Sequence, residues 1–256
     1  IYYCHTPPRY LYDLNYLYLK KVHFSIRWIF KIWFFLFRKL YERDIKKMDI
    51  ILTNSINTKK RIKNFLWAES RVLYPPVDLK EFKYIWQQNY YLSFARISDA
   101  KRVDKIVEAF KQMPEEKIKI VYWENDPQRE KVFELAKWCE NIEFLTFKWN
   151  KWFKECVWNC TATIYIPIDE DFWMSSIESM AAWKPVLWVD DGGLKETIIH
   201  KETWFLIDKE AKIQDIIKAI SFLNPKKSLE MRKKCENRAR DFSLEKFEEE
   251  LKIYVI

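Results

Sequence analysis

The sequence predicts an α/β protein of two domains, each built on a doubly wound parallel sheet. Three observations predict it. From about Tyr90 to Ile207, short apolar runs alternate with amphipathic stretches, the pattern of strands joined by crossover helices. The strand runs are apolar almost throughout, as in a parallel sheet covered on both faces. Finally, Pro75-Pro76-Val77-Asp78 interrupts regular structure by removing backbone donors and fixing φ. It separates a smaller set of similar units from the main set. The expected division is 1–83 for a partial amino-terminal domain and 84–240 for the main domain. Residues 241–256 are expected to form a terminal helix packing back toward the first domain.

The elements follow in order. Ile1–Cys4 and Ile50–Thr53 read as strands, and Asn54-Ser55 is a good cap for a helix running to about Phe65. Arg71–Leu73 is the next strand. In the main domain, Tyr90–Ala95 is a strand and Lys101–Met113 a helix with Val103, Ile106, Val107 and Phe110 on one stripe. Strand Ile118–Tyr122, helix Gln128–Lys137, strand Ile142–Phe147 and a short helix at Lys151–Asn159 come next. Strand Ala162–Pro167, helix Ser175–Ala182 and strands Pro185–Val189 and Phe205–Ile207 complete the alternation. The charged tail from Leu229 to Ile256 is helical with a break near Phe242-Ser243.

A net charge of +8 favours anionic partners such as a nucleotide, a phosphate or an acidic lipid. Five scattered cysteines without a Cys-x-x-Cys pair point to reduced thiols. Cys156 and Cys160 are helix neighbours, but no His lies near them to complete a metal site. No signal peptide is visible, and the chain opens at Ile1 directly into a strand, as expected of a fragment. The greasiest run, Trp28 to Phe37, is broken by Lys31 and is far shorter than the ~20 residues that a membrane-spanning helix needs.

Two glycines stand against thirteen tryptophans, where average usage would give roughly 18 glycines. Several tryptophans occupy positions that favour glycine and penalise bulk. Trp183 falls where a helix must stop before a strand, and Trp204 in a turn entering one. Trp67, Trp123, Trp138 and Trp188 also fall at expected element ends. The pattern predicts that the gene reads UGA as glycine while this sequence renders it as tryptophan. The alternative is a truly tryptophan-rich protein.

Four features are expected near the carboxyl ends of strands, where such sheets bind ligands. Arg96 and Lys101 follow the first main-domain strand and can clamp a diphosphate, one as a planar fork and one as a point charge. Glu170-Asp171-Phe172-Trp173-Met174-Ser175-Ser176-Ile177-Glu178 places two carboxylates around a helix start, where backbone N–H groups favour anions. Asp190-Asp191-Gly192-Gly193 is a turn after a strand. His5, in Tyr3-Cys4-His5-Thr6-Pro7, follows a strand of the first domain and is placed to face an interdomain cleft.

With these stretches the chain resembles the retaining family 4 glycosyltransferases of GT-B fold, two Rossmann-like domains facing a cleft. The matching segments are Tyr3–Leu14, Thr53–Ser55, Tyr74–Asp78, Tyr91–Asp104, Ile164–Val186, Gly192–Glu196 and Glu202–Ile207. Sequences beginning Tyr-Cys-His-Thr-Pro look most like bacterial mannosyltransferases of cell-surface polysaccharide assembly. The resemblance implies that Arg96 and Lys101 hold the donor diphosphate and that Glu178 holds the nucleotide ribose. It implies that Glu170 and the backbone of Phe172, Trp173, Met174 and Ser175 hold the donor sugar, with His5 touching it from the other domain. It further implies GDP-mannose as donor substrate, no cofactor or metal, and a lipid-linked or cell-envelope saccharide acceptor. The expected location is cytoplasmic, at the inner face of the cell membrane.

The family reads glycine at Trp173, Trp183 and Trp204, as recoding predicts; Trp28, Trp33 and Trp152 carry no such expectation. The family's first domain is also longer, and its amino-terminal glycine-rich loop is missing here. The alternative function is therefore an inactive donor-binding or membrane-docking module. One stretch stands apart. Between Lys20 and Lys47, basic residues interleave with Trp28, Phe30, Trp33, Phe34, Phe35 and Phe37. Such a helix can lie in an anionic membrane interface. The favoured reading packs it inside the first domain, showing only its Lys and Arg. Nucleic acid is the weakest explanation of the charge, since no binding-module signature is present.

Overall fold

The structure, a computed structural model, describes residues 1–82, 84–148, 151–172, 174–197 and 202–255. The chain forms two compact units, Ile1–Tyr74 with Glu249–Ile256, and Pro75–Glu248.

In the first unit, strands β1 (Tyr2–Cys4), β2 (Ile51–Thr53) and β3 (Arg71–Val72) form a parallel sheet in that order. Helices α1 (Asn15–Lys21) and α2 (Arg27–Ile45) lie between β1 and β2 in sequence, and α3 (Ile56–Leu66) links β2 to β3. Ser55 caps α3 by accepting from the Thr58 backbone N–H at 3.0 Å, satisfying one of the helix's orphan donors. Trp67 ends the same helix in the left-handed region at φ 53°. Cys4, Ile45, Ile51, Ile62 and Leu66 form a core cluster of this unit.

One expectation for this unit is overturned. The aromatic face of α2 does not pack inside. Within α2 only Phe34 and Ile45 are buried, while Trp28 is 61% and Phe35 60% exposed. Periodicity identifies an apolar face but does not say what covers it.

The second unit carries β4 (Tyr91–Phe94), α4 (Val103–Lys111), β5 (Ile118–Tyr122), α5 (Arg129–Leu135), β6 (Ile142–Thr146) and α6 (Lys151–Asn159). It continues with β7 (Thr163–Ile164), α7 (Met174–Ala181), β8 (Val186–Val189), β9 (Trp204–Ile207), α8 (Ile213–Phe222) and α9 (Pro225–Arg240), and leads into α10 (Leu244–Val255). Its six strands are all parallel, in the order β6-β5-β4-β7-β8-β9. Counted from β4 this is the 3-2-1-4-5-6 order of the doubly wound nucleotide-binding sheet. The strands are buried as parallel strands must be: Leu92, Ile120, Val121, Val186 and Val189 have no exposed surface. The α4 stripe of Val103, Ile106, Val107 and Phe110 is buried as its spacing predicts.

Three details differ from expectation. Helix α4 begins at Val103, because Ser98–Lys101 first make a tight 3-10 turn and Arg102 is left-handed at φ 52°. Strand β7 is two residues long, since the backbone beyond Ile164 turns to other partners described below. Trp188 is not at an element end. It is the third residue of β8, fully buried, with the Tyr165 ring packed edge-on at 4.9 Å. A large aromatic suits a strand interior covered on both sides.

Candidate active site

In a sheet of this order the crossover connections leave in opposite directions from two adjacent central strands. The crevice at their carboxyl ends is the expected ligand site. Here those strands are β4 and β7. Lys101 lies in the turn after β4 and Glu170 in the loop after β7. The structure brings them together. The Lys101 ammonium is ion-paired with a Glu170 carboxylate oxygen and donates to the Tyr165 hydroxyl, which in turn donates to Glu170 at 2.9 Å. Both charged side chains are mostly shielded, at 16% and 21% exposure. Tyr165 is buried, and burial together with the neighbouring Glu170 charge raises its hydroxyl pKa well above the ordinary value.

Arg96 is engaged elsewhere. Its Nε donates to Asp126 at 2.8 Å and its terminal nitrogen to the side chain and carbonyl of Asn125. Asp126 is buried and also accepts from the backbone N–H groups of Ile97 and Trp123, each at 2.9 Å. Among the described residues Arg96 therefore pairs with the loop after β5, while Lys101 pairs with the loop after β7.

The Glu170 loop is held by its neighbours. Asp169, left-handed at φ 47°, donates its backbone N–H to Asp191 at 2.8 Å. Gly193 N–H donates to the Glu170 carbonyl at 2.8 Å. Gly192 is left-handed at φ 62°, and a Cβ there would collide with the Glu170 backbone. The Asp191-Gly192-Gly193 turn after β8 is thus the backing plate of the Glu170 loop.

Sequence reasoning missed Arg102, which is 8% exposed. Its guanidinium donates to the carbonyls of Ile166 at 2.6 Å, Pro167 at 2.8 Å and Lys209 at 2.6 Å. One side chain from the β4 loop thus ties down the loops after β7 and β9. Burial lowers its pKa, opposed by Asp191, Glu210 and Asp104. Five donors in a rigid fork suit it to several carbonyls at once. Only its place beside Lys101 hints at this in the sequence.

Glu178 lies in the middle of α7 and is half-buried. Its pKa is pushed up to about 7 by burial, then by Glu81, with Lys154 pulling the other way. Lys154 itself pairs with Glu81 at 3.0 Å. Phe172 and Ser175 are buried at the start of α7, and Met174 is its first residue. Trp173 lies outside the described residues. His5 belongs to the first unit, where it follows β1. It is exposed, its ring meets Tyr3 edge-on at 4.9 Å, and its carbonyl accepts from the Thr58 hydroxyl at 3.1 Å. Among the described residues no group of three His, Cys, Asp or Glu is placed to hold a metal ion.

The family described as glycosyl transferases group 1 matches residues 78–242, nearly the whole second unit. The chain belongs to this family. Its fold is that of the GT-B glycosyltransferases, with parallel sheets that fit Rossmann-like domains. A glycosyltransferase from Rickettsia africae superposes with a TM-score of 0.72 at 19% identity, over 85% of this chain and 66% of that one. A sucrose-phosphate synthase from Thermosynechococcus elongatus gives 0.75 at 18% identity, over 85% and 60%. The Anabaena protein HepE, in complex with UDP and glucose, gives 0.69 at 14% identity, over 80% and 62%. The chain thus spans less than two thirds of the length of these relatives. No curated protein matches it. Within the group 1 glycosyl transferase fold, Lys101, Glu170 and Tyr165 occupy the central crevice, and Arg102 and Gly192 fix the loops that carry them.

Proposed function

We propose that the chain is the donor-binding part of a retaining glycosyltransferase that needs no metal. It takes a sugar from a nucleotide-diphosphate donor and passes it to a lipid-linked or cell-envelope saccharide in the cytoplasm. The observation that carries this is the Lys101–Glu170 pair at the crevice between β4 and β7. The ammonium supplies fixed positive charge where a leaving diphosphate gains negative charge, the largest kind of catalytic contribution. The Glu170 carboxylate accepts from sugar hydroxyls, and the backbone N–H groups of Phe172, Met174 and Ser175 add donors at the start of α7. Glu178 accepts from the ribose hydroxyls, and Arg96 contributes a second cation to the diphosphate. HepE, whose structure holds UDP and glucose, supports a nucleotide-sugar ligand. Mannose and GDP rest on the resemblance of the Tyr3–Pro7 segment.

The tryptophan recoding belongs to the same proposal. Trp67 and Trp183 both sit at helix ends in the left-handed region, at φ 53° and 63°. That region costs a bulky residue roughly 1–2 kcal/mol and glycine almost nothing. These two backbones support glycine as the native residue there.

The test is calorimetry of the full-length gene product, with codons confirmed, against a panel of nucleotide-diphosphate sugars, followed by a transfer assay. Binding of one donor and its loss in Lys101→Ala is the expected result. A protein that binds none of the panel sinks the reading. Peptide mass spectrometry on protein from the native cell tests recoding separately, and tryptophan at 67 and 183 refutes it.

A further inference from the structure

The first unit carries a surface unlike the rest of the molecule. From Leu14 to Tyr41 the chain holds six Lys or Arg and no Asp or Glu. Across α1, α2 and the turn between them, large apolar side chains stand in solvent. Phe24 is 75% exposed, Trp28 61%, Phe35 60%, Leu36 53% and Ile32 51%. A contiguous apolar face of this size marks an interaction site.

The arrangement within α2 is inverted relative to an ordinary surface helix. At 3.6 residues per turn, Arg27, Lys31 and Arg38 fall on one stripe, with Phe34 beside it. That stripe faces the protein. Lys31, Phe34 and Arg38 line a cleft with Leu11, Asn15 and Leu19, Phe35 stands at its rim while 60% exposed, and the Arg38 guanidinium lies 4.8 Å from the centre of the Tyr12 ring. The wide apolar face points away. Lys39 and, in α1, Lys20 rest over the exposed rings of Phe35 and Tyr16, as cations do when their stems cover apolar surface.

We propose that the α1–α2 face docks on an anionic lipid surface, lying in the interface with its aromatic face toward the acyl chains. Aromatic bulk ringed by cations is the composition of an in-plane interfacial helix. Lys20, Lys21 and Lys39, which lie off the stripe that faces the protein, complement anionic headgroups, although Lys39 also pairs with Glu42 at 3.5 Å. Crossing the bilayer is a different matter: no helix among the described residues is long and apolar enough for that. A second copy of the chain is the poorer occupant. A two-fold contact through this face would set Lys20, Lys21 and Lys39 against their own counterparts, and Glu42, just past the end of the stretch, is already paired with Arg38 and Lys39. This inference does not depend on the transferase reading.

The test is co-sedimentation of the full chain with vesicles of phosphatidylcholine alone or mixed equally with phosphatidylglycerol, at low and high salt. Binding to the mixed vesicles only, weakened by salt, is expected. Phe24→Ser with Phe35→Ser should weaken binding about tenfold or more, as two fewer aromatic rings enter the interface. Lys20→Glu with Lys39→Glu should weaken it about tenfold or more and flatten the salt dependence. All four positions are on the surface, so circular dichroism should match the parent. The phenylalanines also keep the result independent of the tryptophan codons. No binding to mixed vesicles, equal binding to both kinds, or unchanged binding in both double variants overturns the proposal. So does a dimer in ultracentrifugation that the phenylalanine variant dissociates.

Discussion

Arg96 and Lys101 both follow β4, yet their surroundings differ. The Arg96 side chain is 49% exposed and its charge is answered by Asp126, which is buried and already accepts two backbone N–H groups. Lys101 is 16% exposed and answered by Glu170, which is itself part of the crevice. Arg96 is thus bound into the scaffold of its loop, whereas Lys101 is bound to another group of the site. A charge shielded from water also acts more strongly on a neighbour than one in contact with it. Of two cations that look alike in sequence, Lys101 is held inside the candidate crevice, whereas Arg96 is held by Asp126 in the loop after β5.

The sharpest way to break this comparison is to remove each cation. Lys101→Ala should lower turnover by about 10²–10³, the range for losing one preorganised charge partner. Arg96→Ala should lower it only about tenfold, with part of its cost in stability because Asp126 loses a charge-assisted partner. Equal losses in single-turnover kinetics would erase the distinction. The next effect is on the shared support. Arg102→Ala strips buried carbonyls of their charged donor and should lower the unfolding free energy by about 3 kcal/mol in urea titration. An unchanged midpoint would mean that the loops hold without it.

Tyr165→Phe sharpens the comparison further. It removes the hydroxyl that joins Lys101 to Glu170 and nothing that touches Arg96. Loss of one hydrogen bond to charged groups, about 1.5 kcal/mol, should lower turnover roughly tenfold with the unfolding midpoint nearly unchanged. Wild-type turnover would remove Tyr165 from the site.

The smallest effect concerns Glu178 and pH. Its pKa of about 7 means that the accepting carboxylate predominates only above that value. Donor affinity should rise severalfold between pH 6 and 8, and Glu178→Gln should flatten the profile. The sign for stability is opposite. Between the ordinary 4.5 and about 7 the folded chain keeps a proton that the unfolded chain has released, so Glu178 costs stability progressively as pH rises through that window. A parent protein with pH-independent donor affinity would contradict the assignment.

Local patterns carried much of this to the reader of the sequence. Strand β5 and helix α6 occupy the expected residues: Ile118, Ile120 and Val121 form a short β-branched apolar run, and Phe153, Cys156 and Val157 stand at helical spacing. Helix α8 had no expectation. Ile213, Ile216, Ile217 and Ile220 do stand at helical spacing, so only its start is unmarked, since Lys212 makes no side-chain cap. Lys101 and Glu170 were legible as candidates because charged residues after apolar strands stand out. The work of Arg102 was not, since its partners are three backbone carbonyls, which leave no mark in a sequence. The outward face of α2 was equally hidden: an amphipathic repeat reads the same whether its apolar side meets protein or lipid.

The central strand pair has a consequence for how the chain is made. Leu92 of β4 pairs with Thr163 of β7, whereas the pairs beside it join Tyr91 to Ile118 and Ile118 to Ile142. During synthesis β4, β5 and β6 can assemble as soon as they emerge, each pairing with a strand made shortly before. Lys101 then exists on a half-sheet whose inner edge is open until β7 arrives. Closing that edge brings Glu170 to Lys101, so the crevice is born with the longest-range contact of the sheet, the kind that forms late and slowly. Until β7 arrives, the inner edge of β4 has no strand to pair with, the kind of exposed edge that favours misassembly.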